Sequence, residues 1–368
     1  MTILSLHLTD FRNLPAFSLA PLPVGCNILY GENGSGKTSL LEAIHTLGSG
    51  RSFRNHYSHP LIRFGQNKFI VFSHLVDGKN HQNVSIGIER DNNGRLNWRM
   101  NEEDVSAASQ VASMFPMRVI NAHAHDMIEQ GPGFRRKFLD WGLFYQHTEF
   151  SACLRKFERT LKHRNALLYE IKTKRYVDRA QALQELAIWT GALIEQAEIV
   201  TTLRSKYVVL FIPHFLEIMQ ELLNIPQLHI QYDCVWPEDS EYASTLANTL
   251  ETDLRLGHTQ HGPHCADLHI TIGDNAAKNI LSRGQQKLLV CALLLSQGVL
   301  LRKTHNQAPI YLVDDLPSEL DENNRKKILS LLLAQETQVF ITAIKQESIL
   351  SCIPNHSKSQ VKMFHVKH

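Results

Sequence analysis

The sequence predicts an α/β head with a helical second lobe. Three features carry that prediction. An apolar run, Cys26 to Tyr30, leads into a glycine-rich loop and then a helical pattern. A second apolar run, Pro309 to Val313, ends in Asp314-Asp315 near the other end of the chain. Between them, from Phe134, the apolar spacing changes to near-helical intervals.

The loop, Gly31-Glu32-Asn33-Gly34-Ser35-Gly36-Lys37-Thr38, fills every position of the phosphate-binding pattern G-x-x-x-x-G-K-[ST]. Its glycines allow backbone N–H groups to close around phosphate oxygens. Lys37 brings a cation to the β/γ-phosphates, the Thr38 hydroxyl suits a Mg²⁺ ligand, and the following helix N-terminus favours an anion. That helix should bury Leu40, Leu41, Ile44 and Leu47. A plain glycine-rich turn is the bland alternative, but it does not call for the strand before and the helix after.

Hydrophobic residues are 43% of the chain and charged residues 20%, as in globular, soluble proteins. No run approaches the roughly 20 apolar residues of a bilayer span. MTILSLHLTDF lacks the basic flank and long apolar core of a signal peptide. The six cysteines are scattered without a C-x-x-C pair, as free thiols in a reducing compartment would be. A cytoplasmic protein with no membrane partner is therefore expected. The net charge of +2 means that any nucleic-acid contact must come from a local patch.

Taken in order, Thr2 to Leu8 alternates as a strand, and Asp10 to Leu14 reads as a turn. A basic loop, Gly48 to Arg54, follows the first helix. Strands are expected at Lys68–Leu75, Asn83–Glu89, Arg95–Met100 and Pro116–Ile120, with a hairpin turn at Asp91 to Gly94. Two amphipathic helices around a polar break at Thr173 to Asp178 make an antiparallel arm over 151–206. From Arg135 to Lys206 there are fourteen Lys/Arg against eight Asp/Glu, an excess of six. That excess fits a phosphate-contacting surface as well as an ordinary solvated face. Lys156, Lys162 and Arg164 on the arm, and Arg54 in the basic loop, are the DNA-contact candidates. No internal repeat or low-complexity segment is present.

Asp314 can hold Mg²⁺ opposite Thr38, and Asp315 can polarise an attacking water. Leu281-Ser282-Arg283-Gly284-Gln285-Gln286-Lys287 starts a long helix. It nearly matches the L-S-G-G-Q signature of ABC-type ATPases, and Ser318-Glu319-Leu320-Asp321 matches their D-loop. That resemblance implies a head-to-tail dimer in which Ser282, Gly284, Gln285 and Asp321 meet nucleotide bound by the other subunit. As an ordinary feature, Ser282 would simply cap its helix.

The chain as a whole resembles the RecF family of bacterial recombination mediators. The resemblance runs through Asp10 to Leu14, Gly31 to Thr38, Arg51 to Arg54, Gly131 to Trp141, Gly262-Pro263-His264, Leu281 to Gln286 and Asp314 to Asp321. It implies a P-loop NTPase with an ABC/SMC-like head (1–130 and 257–368) and a helical lobe (131–256). It implies ATP and Mg²⁺ as cofactors, weak DNA-stimulated ATP hydrolysis and an ATP-dependent homodimer on gapped or junction DNA. It also implies RecR as a partner, with RecO, in helping to load RecA. Arg12, Asn13 and Arg51 become weaker candidates for nucleotide contacts. Cys265 departs from the arginine usual in the family's G-P-H-R motif, and Asn121 to Asp126, NAHAHD, departs from the usual segment there.

Those departures raise a rival. His123 and His125, or His258, His261, His264 and Cys265, have spacings that a metal-dependent hydrolase could use. The eightfold strand–helix repeat of such hydrolases is absent, however. Two further alternatives are the ATPase subunit of a transporter and a clamp that binds ATP without useful turnover. The basic arm argues against the transporter, as does the lack of a switch histidine after Gln338–Thr342.

Overall fold

The computed structural model describes residues 1–54, 61–77, 82–105, 107–175, 178–236 and 241–367. They form two compact units. The first is Met1–His125, His214–Asn224 and Ser282–His368; the second is Asp126–Pro213 and Ile225–Leu281. In chain order the strands are β1 (Thr2–Phe11), β2 (Leu14–Leu19), β3 (Gly25–Tyr30), β4 (Lys68–Val76), β5 (Asn83–Asp91), β6 (Leu96–Met100), β7 (Glu103–Val105), β8 (Met117–Ile120), β9 (Leu228–Asp233), β10 (Asp267–Ile272), β11 (Asn275–Ala276), β12 (Ile310–Val313), β13 (Gln338–Ala343) and β14 (Val361–His365). The longer helices are α1 (Lys37–Ser49), α2 (Pro132–Gln146), α3 (Phe150–Thr173), α4 (Arg179–Leu222), α5 (Tyr242–Leu256), α6 (Arg283–His305) and α7 (Glu322–Ala334).

In the first unit, five strands make a parallel sheet in the order β14-β3-β13-β12-β8. β12 and β13 are buried along their whole length, which is why they read as unbroken apolar runs. β13 lies between β3 and β12, so the loop after β3 and the acids after β12 open at the same carboxyl edge. Open parallel sheets bind ligands at that edge. The other sheet is antiparallel, in the order β2-β1-β4-β5-β6-β7. Leu40, Leu41, Ile44 and Leu47 of α1 join residues of both sheets, such as Phe11, Phe69, Leu312 and Phe340, in one core.

The turn expected over Asp10–Leu14 tightens to Arg12-Asn13, with Arg12 left-handed at φ +56°. A strand the sequence had hidden, β2, follows. Its Pro15 is tolerated because β2 is an edge strand and one face of its ladder is unpaired. β14, also unexpected, is the edge partner of β3.

In the second unit, α3 and α4 make the expected antiparallel arm. Leu167, Leu168, Ile171, Ala182 and Leu186 form its core. α4 runs on to Leu222 instead of ending near 206. Tyr207, Phe211, Phe215, Ile218 and Leu222 continue the i, i+3/i+4 pattern and are buried, which carries the helix through Pro213. The expected boundaries move as well. β10 pairs with β9 from Asp267↔Asp233 to Ile272↔Leu228, so 257–281 belongs with the second unit, while 214–224 belongs with the first.

The expectation that no stretch reaches membrane length is corrected. α4 and α6 are both long and apolar enough to cross a bilayer by composition. For α6 that character has a plain cause, since its Leu288 to Leu295 segment is buried in the first unit.

Candidate functional site

The phosphate loop joins β3 to α1 in the first unit. Gly34 and Gly36 take φ +82° and +103°, a region that L side chains resist. A Cβ at Gly36 would also stand 2.6 Å from Leu14 Cδ2. The Lys37 ammonium folds back and donates to the carbonyls of Gly31 (2.8 Å) and Glu32 (2.7 Å). Burial pushes its pKa below the usual lysine value, against the pull of Asp315 and Asp314. The Ser35 hydroxyl is buried and finds no partner among the described residues, so the loop holds an unused polar group. Asn13 braces the loop from outside. Its Nδ2 donates to Gly34 O (2.8 Å), and its Oδ1 accepts from Ser39 Oγ (2.8 Å).

The acids meet this loop. Thr38 Oγ1 donates to Asp314 Oδ1 across 2.9 Å. Thr342, at the end of the intervening β13, donates to the same oxygen at 2.8 Å and accepts from Asp315 N at 2.8 Å. One buried threonine thus fixes both carboxylate residues. Asp315 is left-handed at φ +52°, and its Oδ2 accepts from Ser318 Oγ at 2.7 Å. Sequence reasoning missed Thr342 and Ser318. A threonine near the end of a buried apolar strand was the available signal for the first.

Ser282 caps α6 as its ordinary reading predicted, in a capping box with Gln285. Ser282 and Gly284 are exposed, so the helix start is open to solvent. Asp321 caps α7 through Asn324 N at 2.9 Å. Among the described residues, no hydrogen bond or ion pair joins Ser282, Gly284, Gln285 or Asp321 to the phosphate loop. Arg12 donates through Nε and Nη2 to Glu42, a fully buried carboxylate on α1 that also accepts from Ser52 Oγ. Arg51 and Arg54 are exposed.

One DNA-contact candidate is corrected. Arg164 is wholly buried. It donates to Asp253 Oδ2 (2.8 Å), Thr259 Oγ1 (2.6 Å) and Thr190 Oγ1 (3.0 Å). The periodicity hid this, because a buried arginine with a carboxylate partner on another helix looks like a solvated cation in the sequence. Arg135 is likewise paired with Asp267, and Arg204 with Asp140. The basic excess of the segment is therefore partly spent inside. Lys156 and Lys162 are exposed.

The histidine rival fails on geometry. His261 and His264 are turned to the carbonyls of Val235 (3.0 Å) and Thr259 (3.1 Å). No group of three or more His, Cys, Asp or Glu placed to hold a metal ion occurs among the described residues.

A P-loop followed across a parallel sheet by an acid pair, with an antiparallel sheet completing the core, defines a head of the RecF/RecN/SMC class. The family model described as RecF/RecN/SMC N terminal domain matches residues 2–368. Within that class the chain belongs to the RecF family. It is 38% identical over 368 residues to a DNA replication and repair protein RecF from Cellvibrio japonicus, covering 100% of this chain and 98% of that one. A RecF from Shewanella loihica is 38% identical over 367 residues, covering 100% and 98%. Among solved structures, the recombination mediator protein RecF with ATP superposes with a TM-score of 0.82 at 27% identity, covering 94% of this chain and 92% of that one. An Smc head bound to the C-winged helix domain of ScpA shares the fold, with a TM-score of 0.56 at 16% identity over 96% and 93%. This membership answers the transporter alternative.

Proposed function

We propose that this chain is an ATP-dependent DNA-binding protein of replication and recombinational repair, acting as an ATP-gated dimer. The observation that carries the reading is the 2.9 Å contact between Thr38 and Asp314 beside the Lys37 loop. Two hard oxygen donors face each other there, which suits Mg²⁺. The buried Ser35 hydroxyl and the open space at Gly34 suit a phosphate. Mg²⁺ would neutralise charge on the phosphates when bound. Lys37 would exchange its carbonyl partners for phosphate oxygens, and Asp315 would take the proton of the attacking water. The exposed start of α6 would offer Ser282, Gly284 and Gln285 to nucleotide on a second copy, with Asp321 on the same face. The first unit would serve as the ATPase head and the second as the helical lobe. Gapped or junction DNA, RecR with RecO, and assistance to RecA follow from the family. So do slow, DNA-stimulated turnover and a cytoplasmic location.

The test separates two kinds of failure. Lys37→Ala should lose ATP binding. Ser282→Arg should bind ATP yet stay monomeric in light scattering with ATP. Normal dimerisation by Ser282→Arg would sink the role in trans.

DNA binding should weaken with salt, with a log–log slope of roughly −0.7 to −0.9 per phosphate contacted. Charge reversal at Lys156 and Lys162 should flatten that slope. An unchanged slope would move the DNA contact elsewhere, with Arg51 and Arg54 next to be tried.

A further inference from the structure

We propose that Phe64 is the stacking face for the base of the nucleotide held in the phosphate loop, and that the cleft it borders is the nucleoside subsite. The inference rests on the nucleotide reading above and adds where the base goes.

Phe64 is fully exposed, at 102%. A large aromatic in that state is unusual on a chain with a well-filled core. Its loop is held in place. Arg63 N donates to Asp10 O (2.8 Å), and Gln66 N closes a turn on Arg63 O (3.0 Å), with Gly65 at φ +82°. The Asp91–Gly94 hairpin clamps the far side, where Asn92 N donates to Asn67 O (3.0 Å) and Asn92 Nδ2 to Gln66 O (3.1 Å). A braced loop that points an aromatic ring at solvent has already met most of the ordering cost of binding.

The cleft beside it has a volume of about 710 Å³ and runs from Asn13 and Ser39 to Phe64, Asn67 and Asn92. Asn13 and Ser39 are the residues that brace the phosphate loop, through Gly34 O and each other. A ligand with its phosphates in the loop therefore has a path from Ser39 into the cleft. The planar ring at the other end suits a base, since every base offers a π-face.

The charge in the cleft favours a nucleoside over a DNA strand. Three arginines border it, but Arg12 is paired with Glu42 and Arg63 faces Asp10 at 3.4 Å. That leaves Arg54 as the cation with no carboxylate partner among the described residues. A DNA track needs several phosphate contacts, whereas a base and ribose need none.

The test titrates the full chain with Mg–ATP and, separately, with Mg–tripolyphosphate, which has the phosphates without the base. Phe64→Ala should bind ATP about 5- to 100-fold more weakly, the usual range for removing one stacking partner. It should bind tripolyphosphate as the wild type does, and Phe64→Trp should keep ATP affinity. Because the side chain is exposed, neither variant should shift the thermal midpoint. Wild-type binding of neither ligand would sink the nucleotide reading itself. Wild-type binding of both, with Phe64→Ala equal to it for ATP, would overturn the stacking role alone. Loss of gapped-DNA affinity by Phe64→Ala, with ATP affinity intact, would also overturn the proposal and assign the ring to DNA.

Discussion

Arg164→Ala is expected to lower the unfolding free energy by about 3–5 kcal/mol, the usual cost of breaking a buried ion pair from one side. The size of the effect comes from what is left behind. Asp253 is as fully buried as Arg164 and would keep its charge with Gln260 N, at 3.0 Å, as a remaining donor. Thr190 and Thr259 would lose a donor in the same step. Urea unfolding followed by circular dichroism reads the change. Replacing both charges, Arg164→Met with Asp253→Leu, should recover part of the loss, because the desolvation cost of the pair then disappears too. The salt slope of DNA binding should stay at its wild-type value in the double variant. A wild-type urea midpoint in Arg164→Ala, together with a flatter salt slope, would return this residue to the DNA surface.

The contrast between Arg164 and Lys37 shows what the chain reveals unaided. The phosphate loop is legible because its chemistry is local. Eight consecutive residues carry the glycines, the cation and the hydroxyl, and β3 and α1 flank them by simple apolar pattern. Asp314 is legible for a similar reason, as the acid at the end of an unbroken apolar strand. Contacts across long stretches of sequence are not. Thr342 reaches Asp314 only because β13 inserts between β3 and β12, and strand order is invisible in a linear pattern. Arg164 meets Asp253 across 89 positions, and nothing at either site marks the pairing. Edge strands failed for another reason. β2 carries a proline and β14 a lysine, and both are tolerated because one ladder is free. The end of α4 was misplaced because Pro213 was given more weight than the buried Phe211, Phe215 and Ile218 around it. A single missing N–H is outweighed when the apolar face on either side is packed.

Asp315→Asn is expected to lower ATP hydrolysis by about 10²- to 10⁴-fold while ATP, Mg²⁺ and dimerisation are retained, the span of a general base. The substitution isolates charge from shape. Asparagine tolerates the left-handed backbone that Asp315 adopts at φ +52°, and its carbonyl oxygen can still accept from Ser318 Oγ. The wild-type rate should itself be low. ABC ATPases commonly carry glutamate at this position, and one methylene fewer shortens the reach by about 1.5 Å, where a base must come within roughly 2.6–3.2 Å or use one bridging water. Turnover well below the typical ~10 per second follows. Ser318 adds to this, because its hydroxyl holds one carboxylate oxygen at 2.7 Å and ties the side chain to its own turn. Asp314→Asn should fail differently, weakening Mg²⁺-dependent nucleotide binding. Thr342→Val should show a milder form of both defects, since Thr342 holds Asp314 Oδ1 and Asp315 N together. Thr342→Ser, which keeps the hydroxyl, should restore both. Single-turnover hydrolysis and the lifetime of the ATP-bound dimer on gapped DNA separate these cases, with Asp315→Asn giving the longest-lived complex. If Asp315→Asn hydrolyses ATP at the wild-type rate, the carboxylate only holds its turn through Ser318, and the base lies elsewhere at this edge of the sheet.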